Sequence, residues 1–250
     1  MGIRGGEGGR RAAGGGGAQT LPRPEAPAPV RVPSGAVEVA GDLGLPRDAR
    51  GLVVFAHGSG TSRLSRRNRR VAELLREAGL GTLLMDLLTE GEEAVDALTR
   101  EHRFDIPLLA RRLTDAIDWA GADPRAAGLR VGLFGASTGA AAALVAAARR
   151  PRHVCAVVSR GGRPDLAGPA LSSVAAPTLL IVGGEDRHVA ELNRLALARL
   201  GGVGELRLIP RATHLFEEPG ALEAVAEMAS EWFLRHLRAT HPALEGRWTR

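Results

Sequence analysis

Lysine and tyrosine do not occur in this chain of 250 residues, cysteine occurs once, and aromatic residues make up 3% of it. Each shortage closes off a class of chemistry. Without lysine no P-loop can form, because that loop needs an ammonium against the nucleotide phosphates. One cysteine, Cys155, excludes an internal disulfide and any multi-cysteine zinc site. It sits in the apolar run Val154-Cys155-Ala156-Val157-Val158, which reads as a buried strand, so packing is its expected role. Every apolar run is broken by charge well short of the roughly 18 residues a membrane span needs, and no signal-peptide core is present. The expected setting is cytoplasmic, with no membrane partner.

The net charge of +5 rests on arginine alone, and a sizeable part of the excess lies near the N-terminus. One basic cluster remains, Arg63, Arg66, Arg67, Arg69 and Arg70. It lacks the interleaved aromatics that stack on bases, so it reads as a solvated helix start and no nucleic-acid partner is expected.

Composition divides the chain in three. Residues 1–34 are rich in Gly, Pro, Ala and Arg, with too few large apolar side chains to offset the entropy of ordering, and are expected to be a disordered leader. Residues 35–240 carry the folded domain and 241–250 a flexible tail. Within the domain, short apolar runs at 51–56, 80–84, 129–134, 154–159, 178–182 and 205–209 alternate with helical patterns. A short antiparallel strand or hairpin near 36–44 precedes them. This order defines an α/β fold, a mostly parallel central sheet with helices on both faces. Sites in such sheets form just beyond the carboxyl ends of the strands.

Reading only those positions gives His57-Gly58-Ser59-Gly60, Asp86, Ser137, Arg160, Asp186 and Thr213-His214. Ser137 lies in Gly135-Ala136-Ser137-Thr138-Gly139, between a strand and an alanine-rich helix. That is the setting in which a G-x-S-x-G serine becomes a nucleophile, although a serine there can equally be an ordinary helix N-cap. Asp186 and His214 follow in the order Ser, Asp, His, giving a catalytic triad in which Ser137 attacks, His214 shuttles the proton and Asp186 orients the imidazole. Glu185 is the rival acid, and His188 competes as base but begins a helix that carries it away. His102, His153, His236 and His241 lie in a polar connection, at helix ends or in the tail. The oxyanion-hole donors are expected to be the backbone amides of Ser59 and Thr138. A dinucleotide loop fails here, because the third glycine of G-x-G-x-x-G would fall on Arg63.

The segments Val53-Val54-Phe55-Ala56-His57-Gly58-Ser59-Gly60, Gly135-Ala136-Ser137-Thr138-Gly139-Ala140-Ala141-Ala142, Leu180-Ile181-Val182-Gly183-Gly184-Glu185-Asp186 and Ala212-Thr213-His214-Leu215-Phe216-Glu217-Glu218-Pro219-Gly220 occur in that order. With them the chain resembles the dienelactone hydrolase-like branch of the α/β-hydrolase superfamily. The resemblance implies an eight-stranded sheet, no metal and no organic cofactor. Some relatives are similar to modules joined to phosphoribosyltransferase domains, and no such partner domain is visible here. Dienelactone hydrolases use a cysteine nucleophile where this chain has Ser137, so ordinary carboxylic ester hydrolysis is the implied class.

The connections at 87–103 and 161–176 are too short for a large cap domain, which points to a shallow site. His57, Gly58, Arg160 and Arg163 are its candidate substrate-binding residues, the two arginines offering planar forks to a carboxylate. The expected function is a serine hydrolase of a small carboxylic ester or lactone. The alternatives are a catalytically idle α/β-hydrolase fold used for binding, and an acyltransferase or peptidase with the same triad. Nothing in the pattern specifies an oligomeric state.

Overall fold

The computed structural model describes residues 1–2 and 26–237. The described residues form one eight-stranded sheet in the order β1-β2-β4-β3-β5-β6-β7-β8. The edge hairpin β1 (Ala28–Ser34) and β2 (Val37–Gly44) is antiparallel and joins β4 (Gly81–Met85) antiparallel. From β4 onward all pairings are parallel: β3 (Leu52–Ala56), β5 (Val131–Ala136), β6 (Val154–Arg160), β7 (Thr178–Gly183) and β8 (Gly204–Ile209). Strands β3, β4, β5 and β7 are buried at every position, which is why they read as unbroken apolar runs.

Helices cover both faces. On one, α1 (Arg66–Glu77) and α6 (Ala221–His236) bury Val71, Leu75, Val225 and Phe233 against Phe55, Phe134 and Val158. On the other, α3 (Ile106–Ala122) and α4 (Thr138–Arg149) bury Leu109, Leu113, Ala141 and Leu144 against Val54, Leu133 and Val157. Two smaller helices, α2 (Glu90–Thr99) and α5 (Arg187–Leu197), and a kinked 3-10 segment at Pro164–Ser173 complete the layers. The 87–103 and 161–176 connections hold only α2 and the 3-10 segment, and among the described residues no large cap covers the sheet edge.

The leader boundary needs correction. Residues 28–34, assigned to a disordered leader, form β1. Val32 is fully buried while Arg31 points outward, and Pro29 and Pro33 are tolerated because the strand is at the sheet edge. The hairpin expected near 36–44 is formed by β1 and β2, with its turn at Gly35, φ +62°, and residues 41–44 continue β2. Residues 3–25 of the leader and the 241–250 tail lie outside the described residues. So does His241.

The connection after β4 also holds a helix that its polar sequence concealed. Thr89 accepts the Glu92 amide while the Glu92 carboxylate accepts the Thr89 amide, a reciprocal cap that starts α2. Buried Arg112 on α3 ties this helix to the hairpin, donating to Glu92 at 2.7 Å and to the Ser34 carbonyl at 3.1 Å. Among the described residues no helix is long and apolar enough to cross a membrane.

Candidate active site

Strand order reverses between β3 and β5, so the loops leaving these two strands diverge and open a crevice at their carboxyl ends. Ser137 stands there, between β5 and α4, with φ 51° and ψ −123°. Side chains other than hydrogen rarely adopt that backbone conformation. Its hydroxyl caps no helix amide, which sets aside the N-cap reading. The turn is tight enough to exclude side chains on both flanks. A Cβ on Gly135 would lie 2.4 Å from the Ala140 Cα, and one on Gly139 only 2.3 Å from the Ala56 carbonyl oxygen.

His214, in the loop after β8, and Asp186, after β7, meet at 2.6 Å between Nδ1 and Oδ2. The Asp186 side chain is 15% exposed, whereas Glu185 points to solvent, which explains why the last residue of the turn is the one presented. The rival His188 lies exposed in α5. The Nδ1 contact leaves His214 Nε2 for other partners, with the imidazole 40% exposed. Among the described residues no hydrogen bond joins that ring to the Ser137 hydroxyl. Both nevertheless border residues 160–163: Ser137 N–H donates to the Arg160 carbonyl at 3.2 Å, and Arg163 N–H to the Ser137 carbonyl at 3.1 Å. A Cβ on Gly161 would lie 3.6 Å from His214 Cε1, so this turn lies against the imidazole.

The loop after β3 comes close on the other side. A Cβ on Gly58 would lie 3.1 Å from the Ser137 Cβ. The Thr138 amide occupies the first position of α4, where no intrahelical acceptor exists. The Ser59 amide, the other expected oxyanion-hole donor, donates to the Thr138 hydroxyl at 2.9 Å.

His57 is also not a free ligand-binding group. Its Nδ1 lies 3.0 Å from the Gly58 carbonyl, and its Nε2 accepts the Leu87 amide at 3.0 Å, which makes the imidazole a neutral Nδ1–H tautomer. Burial holds its pKa below the ordinary 6.5, against smaller opposing effects of the Gly58 carbonyl and Asp86. Its work is to fasten the β3 loop to the β4 loop. Asp86 in turn accepts the Arg63 amide at 2.8 Å and pairs with the Arg63 guanidinium at 2.5 Å. Beside this loop a cavity of about 320 Å³ opens, walled by Gly58, Ser59 and Gly60 and floored by Leu87, Leu88 and Leu109. Glu93 and the Asp96–Arg103 pair stand at its polar side.

The two candidate arginines differ. Arg163 spends its fork on Asp165, at 2.9 and 2.8 Å, which removes it as a free carboxylate grip. Arg160 is 8% exposed and makes no hydrogen bond or ion pair with a described side chain. Among the described residues no cluster of three or more His, Cys, Asp or Glu side chains could hold a metal ion.

An eight-stranded sheet of this order, with the serine on a strained strand-to-helix turn and a His–Asp pair arriving later in the chain, is the architecture of an α/β-hydrolase. Comparison with known proteins narrows the class. A dienelactone hydrolase from Anabaena variabilis is 59% identical and covers 86% of this chain and all of its own, with a TM-score of 0.85. The chain belongs to the dienelactone hydrolase-like family of α/β-hydrolases. The family model described as serine aminopeptidase S33 matches residues 47–163. Est1E from Butyrivibrio proteoclasticus shares the fold, with a TM-score of 0.70 at 16% identity. A Mycobacterium tuberculosis protein, provisionally named a phosphoribosyl transferase, is 58% identical over 214 residues. That match covers 86% of this chain, which spans about half (47%) of the curated relative's length.

Proposed function

We propose that the protein hydrolyses a small carboxylic ester or lactone through an acyl-enzyme on Ser137. The observation that carries the reading is the 2.6 Å contact between His214 and Asp186, in a loop that shares the 160–163 turn with a serine in a strained elbow. In this scheme the Ser137 oxygen attacks the acyl carbon while His214 Nε2 takes its proton. Asp186 keeps Nδ1 protonated and stabilises the imidazolium that results. The ring then returns the proton to the departing alcohol, and water repeats the sequence to release the acid. Catalytic hydrogen bonds of this kind often close only when substrate is bound, so a serine without its histidine bond suits the resting enzyme.

The oxyanion would receive the Thr138 and Ser59 amides. The Ser59 N–H now serves a neutral hydroxyl, and a developing negative oxygen is the stronger acceptor, so it would displace the Thr138 side chain. The apolar floor of Leu87, Leu88 and Leu109 suits a short acyl or alkyl group.

Purified protein assayed on p-nitrophenyl acetate tests the scheme. Ser137→Ala and His214→Ala should each lose at least about 10³-fold in kcat while melting normally. Asp186→Asn should lose a comparable factor by favouring the wrong tautomer. Turnover like that of the unaltered protein in the first two variants would overturn the proposal. An unaltered protein that is inert toward esters and toward a fluorophosphonate probe would instead leave a binding fold.

A further inference from the structure

Arg160 closes β6, two residues beyond Val158 and four beyond Ala156, both of which pack into the α1/α6 layer. Side chains alternate along a strand, so the Arg160 guanidinium enters that same layer, on the side of the sheet away from α4. It is 8% exposed, and its Nη1 is fully buried without a partner. Burial pushes its pKa down to about 10, and the charge that acts on it is another cation, Arg67 of α1. A buried charge without a counter-charge is among the least favourable features a fold can hold.

The surroundings show where a counter-charge would sit. Arg67 reaches Glu217 at 3.0 Å, but that carboxylate is 66% exposed, so water screens the pair and it holds Arg67 weakly. Glu217 follows Phe216, whose buried ring lies against the residue after Arg160: a Cβ on Gly161 would come within 3.2 Å of Phe216 Cε2. Arg160, Arg67 and the loop that carries Phe216 and Glu217 just after His214 therefore meet on the α1/α6 side of the sheet.

We propose that Arg160 and Arg67 form a binding site for a phosphate group beneath the His214 loop. Two guanidinium groups from different elements carry more charge than one carboxylate neutralises, whereas a phosphate group of about −1.5 to −2 matches them and accepts several hydrogen bonds at once. Arg67 exchanges Glu217 for the phosphate, and the filled site braces the loop that presents His214. The source is either free phosphate or a phosphate carried by the substrate. The site itself does not depend on the ester-hydrolase reading, because its primary test is melting rather than turnover.

Inorganic phosphate titrated into the full chain should raise Tm saturably, by about 5–10 °C at a hundredfold excess over Kd. Arg160→Gln should abolish the rise and Arg67→Gln should weaken it, while Glu217→Gln, which removes the competing carboxylate, should tighten binding severalfold. Without phosphate, Arg160→Met should melt no lower than the unaltered protein, since an unpaired charge is lost. Competition between phosphate and a phosphorylated ester in turnover would identify the substrate as the source. A raised kcat on neutral esters at unaltered KM would identify the free ion. Absence of any phosphate effect on Tm, or an effect of equal size in Arg160→Gln, would overturn the proposal. If Arg160→Gln fails to fold, titration calorimetry on the unaltered protein and on Arg67→Gln decides, and equal affinities count against it.

Discussion

Ser137→Gly should make the protein more stable while destroying its proposed chemistry. The backbone at this position lies at φ 51° and ψ −123°, a region that strains any residue with a Cβ by about 1–3 kcal/mol and costs glycine almost nothing. Glycine gives back part of the gain by enlarging the unfolded ensemble, about 0.4–1 kcal/mol. The serine is only half-buried, so little packing is lost with its side chain. The net stabilisation is about 1 kcal/mol, or about 2–4 °C in Tm for a domain of this size. Ser137→Ala is the control. It loses the same hydroxyl yet keeps the Cβ, so it should be equally inactive and melt within about 1 °C of the unaltered protein. Thermal and urea denaturation of the three proteins provides the comparison. If the glycine variant melts no higher than the alanine variant, the elbow is not strained in solution and the argument from its dihedral angles fails.

Two further outcomes rest on the same corner of the sheet. Gly139→Ala would place a Cβ 2.3 Å from the Ala56 carbonyl oxygen and 2.5 Å from that of His57. Neither backbone atom can rotate away, so the variant should lose about 2–3 kcal/mol in urea denaturation, and a loss below about 0.5 kcal/mol would contradict the close packing of α4 on β3. The buried neutral His57 makes stability depend on pH. Its folded pKa lies below the ordinary 6.5, so between these two values the unfolded chain binds a proton that the folded protein refuses. Stability is therefore fully present above about pH 6.5 and falls as pH drops through that window, and His57→Gln should flatten part of the slope of Tm against pH. His236, also held low by burial and by Arg235, adds a slope of the same sign that the variant retains.

The parts of the fold that announce themselves in the sequence are those where one physical demand dominates. β3, β5 and β7 are buried on both faces, and only an unbroken apolar run satisfies that, so their positions are plain. β1 is an edge strand with one inward face, spelled by Val30 and Val32 among prolines, and in composition it merges with the Gly- and Pro-rich residues before it. α2 was hidden for a related reason. It buries Asp96 and little else, so it shows no apolar stripe, and only the Thr89/Glu92 pair marks its start. The site divides in the same way. Ser137, Asp186 and His214 are fixed by strand order, which one sequence displays. The commitments of the Ser59 amide, of His57 and of Arg163 depend on which neighbour arrives first, and that is a property of packing.

What holds the candidate residues in place is a set of short bonds between loops that no single strand could supply. His57 joins the β3 loop to the β4 loop, and Ser59 N–H joins the β3 loop to Thr138 at the start of α4. The Ser137 backbone exchanges hydrogen bonds with Arg160 and Arg163, and the buried Asn193 of α5 donates to the Gly162 carbonyl in the same turn at 3.0 Å. Asp186 then carries the chain of contacts to His214. Every link except the Asp186–His214 side-chain pair satisfies a backbone group, so the network follows from the need to pair buried amides and carbonyls as much as from any catalytic demand. A consequence is that the elbow cannot shift alone. A substitution that loosens the 160–163 turn, such as Asn193→Ala, should move Ser137 relative to His214 and lower kcat more than it raises KM, although Asn193 touches neither residue.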